Sequence, residues 1–361
     1  MSRPFSWRRL PGLGLATWLM LLFLWAPLLI LMAYSFNANR VALVWSGFST
    51  RWFAVALGDA DLRRAAWNSA LVAAVATPVA TLLALPAALA FAEGVLPDLA
   101  AHGLLRGADP AAVRARLTAH ADLAEALDGF EHAQESAPER VEVKRALFSE
   151  LDRLAPAAAT LASSTSALLP SAFQEHVAGR ARCLVCHPIN PPYLVPAVEV
   201  VPSPWTTPET VERAAAFMRG CGQSPLVMKR EVDGFIMNRL QGALLEECFR
   251  LVADGIASAE DVDVGLRDGL ALRWSFMGPF ETIDLNAPGG VRDYAERYGG
   301  MYERMFPSMQ RRVDWAGPVM DGVEADRAAR LPRAGLAERQ LWRDRRLMAL
   351  LAHKRAAAGE G

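Results

Sequence analysis

His187 and Glu199 are the residues through which this chain could do acid–base chemistry. The stretch 181–201 reads as a short apolar run ending in His187, a proline-stiffened turn, and a second apolar run carrying Glu199. A strand that delivers an imidazole at its carboxyl end, with a carboxylate on the next strand, is the outline of a general base. The carboxylate fixes the imidazole tautomer and stabilises the imidazolium once the ring takes a proton. The run Cys183-Leu-Val-Cys186-His187 also matches the spacing of c-type haem attachment. Its β-like setting and the following Pro188 argue against an accessible haem segment, and no second ligand pair is spaced for zinc.

The elements that must hold these residues alternate in type. Val113–Leu127 is an amphipathic helix candidate, and Glu139–Leu154 carries Val143, Leu147, Leu151 and Leu154 at helical spacing. Thr160–Ser163 reads as a strand followed by a polar turn, 171–177 as a brief helix and 182–186 as the next strand. Thr207-Pro208-Glu209 has the cap and first-turn proline of a helix start, with closure near Gly220–Gly222 and a strand at Pro225–Lys229. The remainder predicts helices at 235–254 (stopped by Gly255), from Ser258, at 291–304 and at 340–358. The charged tail from Glu324 is expected to be solvated or partner-facing. Alternating strand and helix predicts a parallel, doubly wound sheet, whose ligands bind beyond the carboxyl ends of the strands. Ser166 and His187 both fall at such ends.

At 361 residues the chain has room for two or more domains, and a net charge of −1 points to no nucleic acid. The four cysteines suit a reducing compartment. Only Lys144, Lys229 and Lys354 among 38 basic residues are lysine, so each lysine position draws interest. Residues 10–39 carry no charge and Leu15–Ala33 holds eight leucines, enough to span a bilayer, with Arg3, Arg8 and Arg9 ahead of it. A second uncharged run covers Ala65–Ala92. These runs predict a lipid-spanning hairpin with the rest of the chain on the cytoplasmic side.

Trp25-Ala-Pro-Leu, Tyr34-Ser-Phe-Asn37, Trp45-Ser-Gly-Phe-Ser49, Arg51-Trp-Phe53 and Asn68-Ser69 make this part resemble the beginning of a polyamine-type ABC transporter permease. Further motifs follow in order: Gln134-Glu-Ser-Ala-Pro-Glu139, Ser163-Ser-Thr-Ser166, His187-Pro-Ile-Asn-Pro-Pro192, Val198-Glu-Val-Val-Pro202, Gly234-Phe-Ile-Met-Asn-Arg-Leu-Gln241 and Met277-Gly-Pro-Phe-Glu-Thr282. Through these, residues 94–361 are similar to the 3-hydroxyacyl-CoA dehydrogenase superfamily, in its λ-crystallin/L-gulonate 3-dehydrogenase branch. The resemblance implies His187 as the base for a substrate hydroxyl, Glu199 as its orienter, and Ser166 and Asn238 as hydrogen-bond partners of the substrate oxygen. It implies Glu139 and Lys144 as contacts of NAD. Arg273 is a candidate partner for a substrate carboxylate, since guanidinium binds carboxylate in a two-bond fork.

A full member of the superfamily opens with a strand, a Gly-x-Gly-x-x-Gly turn and a helix. No such fingerprint occurs here, and Gly12-Leu-Gly14 lacks the third glycine. The expected architecture is therefore mixed: a transmembrane α-helical hairpin (1–93), an incomplete Rossmann-like α/β domain (94–229) and an all-α domain with a tail (230–361). The expected activity is NAD-dependent oxidation of a small hydroxy acid or 3-hydroxyacyl-CoA, impaired at cofactor binding. The expected partners are a lipid bilayer and a second copy joined through the helical domain. The rival expectation is a permease fragment carrying a passenger tail.

Overall fold

The computed structural model describes residues 34–38, 45–60, 63–64 and 92–359. They fall into two compact units, divided between Phe91 and Ala92. In the first, Asn37 and Phe48 form an antiparallel bridge, Phe36 stacks on Phe48 at 5.3 Å, and Arg51–Gly58 is a helix (α1). The expected membrane helices Leu15–Ala33 and Ala65–Ala92 lie outside the described residues, apart from Ala92. No helix among the described residues is long and apolar enough to cross a membrane.

The second unit is built on a five-stranded sheet in the order β1 (His132–Glu135), β2 (Thr160–Ser163), β3 (Cys183–Pro188), β4 (Ala197–Pro202) and β5 (Ser224–Val227). Helices α4 (Val141–Leu154), α5 (Pro170–Gln174) and α6 (Pro208–Gly220) make the crossovers, so β1–β2, β2–β3 and β4–β5 are parallel. The expectation of a wholly parallel sheet fails at β3 and β4, which pair antiparallel. The connection at 189–196 is too short for a crossover, which needs about a dozen residues or more.

Alternation along the strands gives each face its own core. Leu161, Cys183, Val185 and Val201 join Phe148, Phe173 and Phe235 on one side. Ala162, Leu184, Cys186, Val198 and Val200 meet Ala214 and Met218 of α6 on the other. Each leucine, valine or phenylalanine among them contributes about 1.5–3 kcal/mol when fully buried. Helix α4 turns Lys144, Phe148 and Leu151 inward, a stripe that includes a lysine. Phe148 meets Phe173 edge-on at 5.1 Å.

Val113–Leu127 is not one helix. It holds the end of α2 (Pro110–Ala115), whose start Asp109 caps by accepting from the Ala112 amide, and all of α3 (Leu123–Ala126), which Asp122 starts afresh by accepting from the amides of Ala124 and Glu125. Side-chain bonds to local backbone compete with helix propagation in this way. Beyond the sheet come α7 (Met237–Ala253), α8 (Ala259–Val264), α9 (Ala271–Trp274), α10 (Pro279–Leu285), α11 (Gly290–Met305), α12 (Pro318–Arg330) and α13 (Leu336–Ala357). The tail is not merely solvated. Met348 of α13 is buried, and Arg345 bonds Asp98 at 3.0 Å within the helical residues 92–101.

Candidate active site

The antiparallel turn-back sets the centre of the site. Pairing β3 against β4 places His187 directly opposite Glu199, and Nδ1 of the imidazole lies 2.6 Å from Glu199 Oε2. Both side chains are buried, with the His187 ring 5.8 Å from that of Phe235. The Nδ1 contact is the ring's one hydrogen bond among the described residues, so Nε2 is the nitrogen left for a substrate hydroxyl.

The other oxygen of Glu199 is also committed. Oε1 accepts the backbone N–H groups of Ile236 at 2.7 Å and Met237 at 2.8 Å. These amides open α7, whose own N-cap residue supplies no side-chain bond. A helix start leaves its first amides without intrahelical partners and carries partial positive charge, both of which a carboxylate satisfies. The chain reaches this point through Gly234 at φ +75° and Phe235 at φ +50°. A left-handed phenylalanine is strained by roughly 1–2 kcal/mol, and here complete burial of its ring offsets that cost. Burial pushes the Glu199 carboxyl up, but the His187 bond, the two amides and the imidazole charge outweigh it, and the group is held below the usual carboxylate range.

Ser166 and Asn238 connect to this centre. Asn238 follows the capped amides, and its Nδ2 donates to the Ser166 carbonyl at 2.6 Å. Ser166 is exposed in the turn after β2. Glu139 pins that turn: Oε1 accepts from the Ser166 amide at 2.9 Å, the Ala167 amide at 3.1 Å and the Thr165 hydroxyl. Burial raises the Glu139 carboxyl, and the Thr165 hydroxyl, the two amides and the Lys144 charge together bring it below its ordinary value. Glu139→Ala should release the turn and lower kcat/KM about tenfold, the worth of about one charged hydrogen bond, in steady-state assays.

Lys144 is placed differently from a surface cofactor contact. Its side chain is 1 % exposed, with Nζ 2.9 Å from Glu135 Oε1 and 3.5 Å from Glu139 Oε2. Ser163 Oγ donates to the second Glu135 oxygen at 2.5 Å. Glu135 was not singled out in the sequence, although a lysine on an apolar helix face signals a buried anion. Gln134 was also missed: its amide donates to Ser164 Oγ at 2.9 Å and to the Cys186 carbonyl at 2.7 Å, bracing the ends of β2 and β3.

Arg273 stands apart. It is exposed on α9, its charge faces Tyr294, and among the described residues no hydrogen bond or ion pair ties it to His187. Cys183 and Cys186 lie fully buried in the cores on opposite sheet faces, and burial pushes both thiols up to about 12. They cannot hold one haem between them.

A nicotinamide dinucleotide fits one half of what is present. The base and the Ser166 turn lie at the carboxyl ends of β3 and β2, where such sheets bind ligands. The glycine turn that would take the pyrophosphate occurs nowhere in the sequence.

The model of the 3-hydroxyacyl-CoA dehydrogenase NAD binding domain matches residues 74–232, and that of the 3-hydroxyacyl-CoA dehydrogenase C-terminal domain matches 234–318. The first match begins ahead of residue 94, where the dehydrogenase-like part was expected to start. The lambda-crystallin homolog of Bos taurus is 45 % identical over 231 residues, covering 63 % of this chain and 72 % of that protein. The L-carnitine dehydrogenase of a Pseudomonas species is 37 % identical over 259 residues, covering 71 % and 78 %. A solved FHMPC 5-dehydrogenase, described as an NAD+ dependent dismutase, superposes with TM-score 0.56 at 25 % identity, over 66 % of this chain and 77 % of its own. With both domain models matched in order and relatives this similar over most of their length, the chain belongs to the 3-hydroxyacyl-CoA dehydrogenase family and carries its NAD-binding domain.

Proposed function

We propose that the chain is an NAD-dependent oxidoreductase that removes hydride from the carbon bearing the 3-hydroxyl of a small hydroxy acid or a 3-hydroxyacyl-CoA. The observation that carries this is the buried His187–Glu199 pair at 2.6 Å with the carboxylate's second oxygen fully used by amides. When bound, the dinucleotide supplies the hydride acceptor. His187 Nε2 takes the hydroxyl proton, and Glu199 holds the ring by Nδ1 and offsets the imidazolium charge. Ser166 Oγ and one N–H of Asn238 Nδ2 donate to the substrate oxygen, the other N–H of that amide being given to the Ser166 carbonyl. Glu139, with a side chain 42 % exposed, is the cofactor contact, and Lys144 acts behind it. Arg273 is kept as the partner of a substrate carboxylate, as the sequence suggested.

Because the glycine turn is missing, NAD binding is weakened. The test is reduction of NAD with gulonate, L-carnitine and a 3-hydroxyacyl-CoA, alongside a fluorescence titration with NADH. Turnover with none of them removes the activity, and micromolar NADH affinity removes the impairment.

Two association surfaces belong to the same reading. Leu272, Phe276, Phe280 and Leu285 leave α9, α10 and the turn between them with an exposed apolar face, which suits a second copy of the chain. Light scattering should give a dimer mass for the wild type and a monomer mass for Phe280→Asp. For the uncharged stretch 10–39 the proposal is membrane attachment, tested by carbonate extraction of the expressed chain.

A further inference from the structure

The eight positions between β3 and β4 join the base to its carboxylate, and they are fastened by a residue far along the chain. This loop, 189–196, contains Pro191, Pro192 and Pro196, which leave it five amides; those of Leu194 and Val195 close a turn on the Pro191 carbonyl, and no backbone bond among the described residues carries that turn to another element. Leu194 is buried beneath it. Among the described residues two side-chain bonds hold it from outside. Gln223 Nε2 donates to the Pro192 carbonyl at 3.0 Å, and the Tyr193 hydroxyl donates to Asp344 Oδ2 at 2.8 Å, across 151 positions.

Asp344 belongs to α13, beyond the residues 234–318 matched as the C-terminal domain. Its other oxygen accepts from Arg343 Nε at 2.8 Å, which orients the carboxylate. The helix is seated independently of this bond by buried Met348 and by Arg345 on Asp98. It therefore offers the loop a fixed anchor. The loop leaves β3 at its carboxyl end, beside His187, on the side where the hydroxy substrate would enter.

We propose that Tyr193 and Asp344 are positioning residues: through their hydrogen bond α13 straps the 189–196 loop and shapes the substrate end of the site. The kinetic part of this rests on the oxidoreductase reading above. Bonds of the β3–β4 ladder hold His187 to Glu199 without the strap, so the effect falls on substrate binding rather than on the proton-transfer step.

The experiment compares Tyr193→Phe, Asp344→Ala, the double variant and Asp344→Asn in the full chain. Each of the first two raises KM for the hydroxy substrate about fivefold, with kcat and the KM for NAD within about twofold, as loss of one hydrogen bond predicts. The double variant is no worse than either single one, because both break the same bond. Asp344→Asn keeps one acceptor oxygen for Tyr193, while the half-exposed Arg343 turns to water instead, so this variant stays close to wild type. Multiplying losses in the double variant, or an Asn variant as poor as the Ala one, overturns the proposal.

A second readout needs no turnover. The alkaline ultraviolet difference between wild type and Tyr193→Phe isolates this phenol, which burial, the bond to Asp344 and its charge push up to about 12. In Asp344→Ala it should titrate lower by about one pH unit. An unmoved phenol removes the strap. A phenol that moves in a chain with no turnover keeps the strap and removes the activity.

Discussion

His187→Ala lowers kcat for hydroxyl oxidation by about 10²–10⁴, the usual worth of a positioned general base. The loss corresponds to about 3–5 kcal/mol of transition-state stabilisation. No other imidazole shares the site: His132 stacks on Phe217 at 4.4 Å, and His176 bonds Ser149. Because the ring's one hydrogen bond is to Glu199, cofactor affinity changes far less than turnover, while stability falls by about 3 kcal/mol, as when any buried charged interaction is broken from one side. Rapid-mixing kinetics with an NADH titration in parallel check this. A variant that retains more than about a tenth of wild-type kcat would show that the proton leaves by another route.

Glu199→Gln produces a double failure. The carboxylate has one oxygen on His187 and the other on two helix-opening amides. An amide side chain offers only one acceptor oxygen, so it serves either the imidazole or the helix. If it keeps the helix, its NH2 faces Nδ1 and demands the opposite tautomer. Elsewhere, loss of the carboxylate that fixes a catalytic imidazole costs up to about 10⁴ in kcat. Breaking a buried charged interaction from one side also removes about 3 kcal/mol of stability. Urea unfolding and steady-state rates measured on the same samples should both fall.

The pH dependence of that stability loss has a definite sign. Glu199 has a folded pKa below its unfolded one, so its contribution is complete above about pH 4.3, the unfolded glutamate value. It disappears as pH falls through the folded value. The gap between wild type and Glu199→Gln should be constant near neutrality and narrow in acid. A gap that widened below pH 4 would show that the carboxylate is not the stabilising group.

How much of this was legible in the sequence depends on the range of the interaction concerned. Thr160–Ser163 reads as a strand from its β-branched and apolar run, and Thr207-Pro208 announces its helix because cap and first-turn proline are neighbours in sequence. His187 and Glu199 were legible as a pair, since twelve residues with prolines between them can only turn back. Strand–helix alternation by itself predicts a wholly parallel sheet, and only the eight-residue connection sets β4 antiparallel. Apolar periodicity over Val113–Leu127 suggests one helix, but Asp122 caps local amides in its midst and begins a second. The partners of Lys144, the bracing by Gln134 and the Tyr193–Asp344 bond depend on contacts spanning from 9 to 151 positions, and no local pattern encodes them.

Sharing one carboxylate between an imidazole and the first amides of α7 has a consequence for motion. If α7 swings away from the sheet, Glu199 is left with unbalanced acceptor capacity and can rotate off the ring. The orientation of the base and the seating of α7 are in this way coupled through one side chain. Any movement that parts those amides from the sheet would therefore act on the imidazole through the same two oxygen atoms.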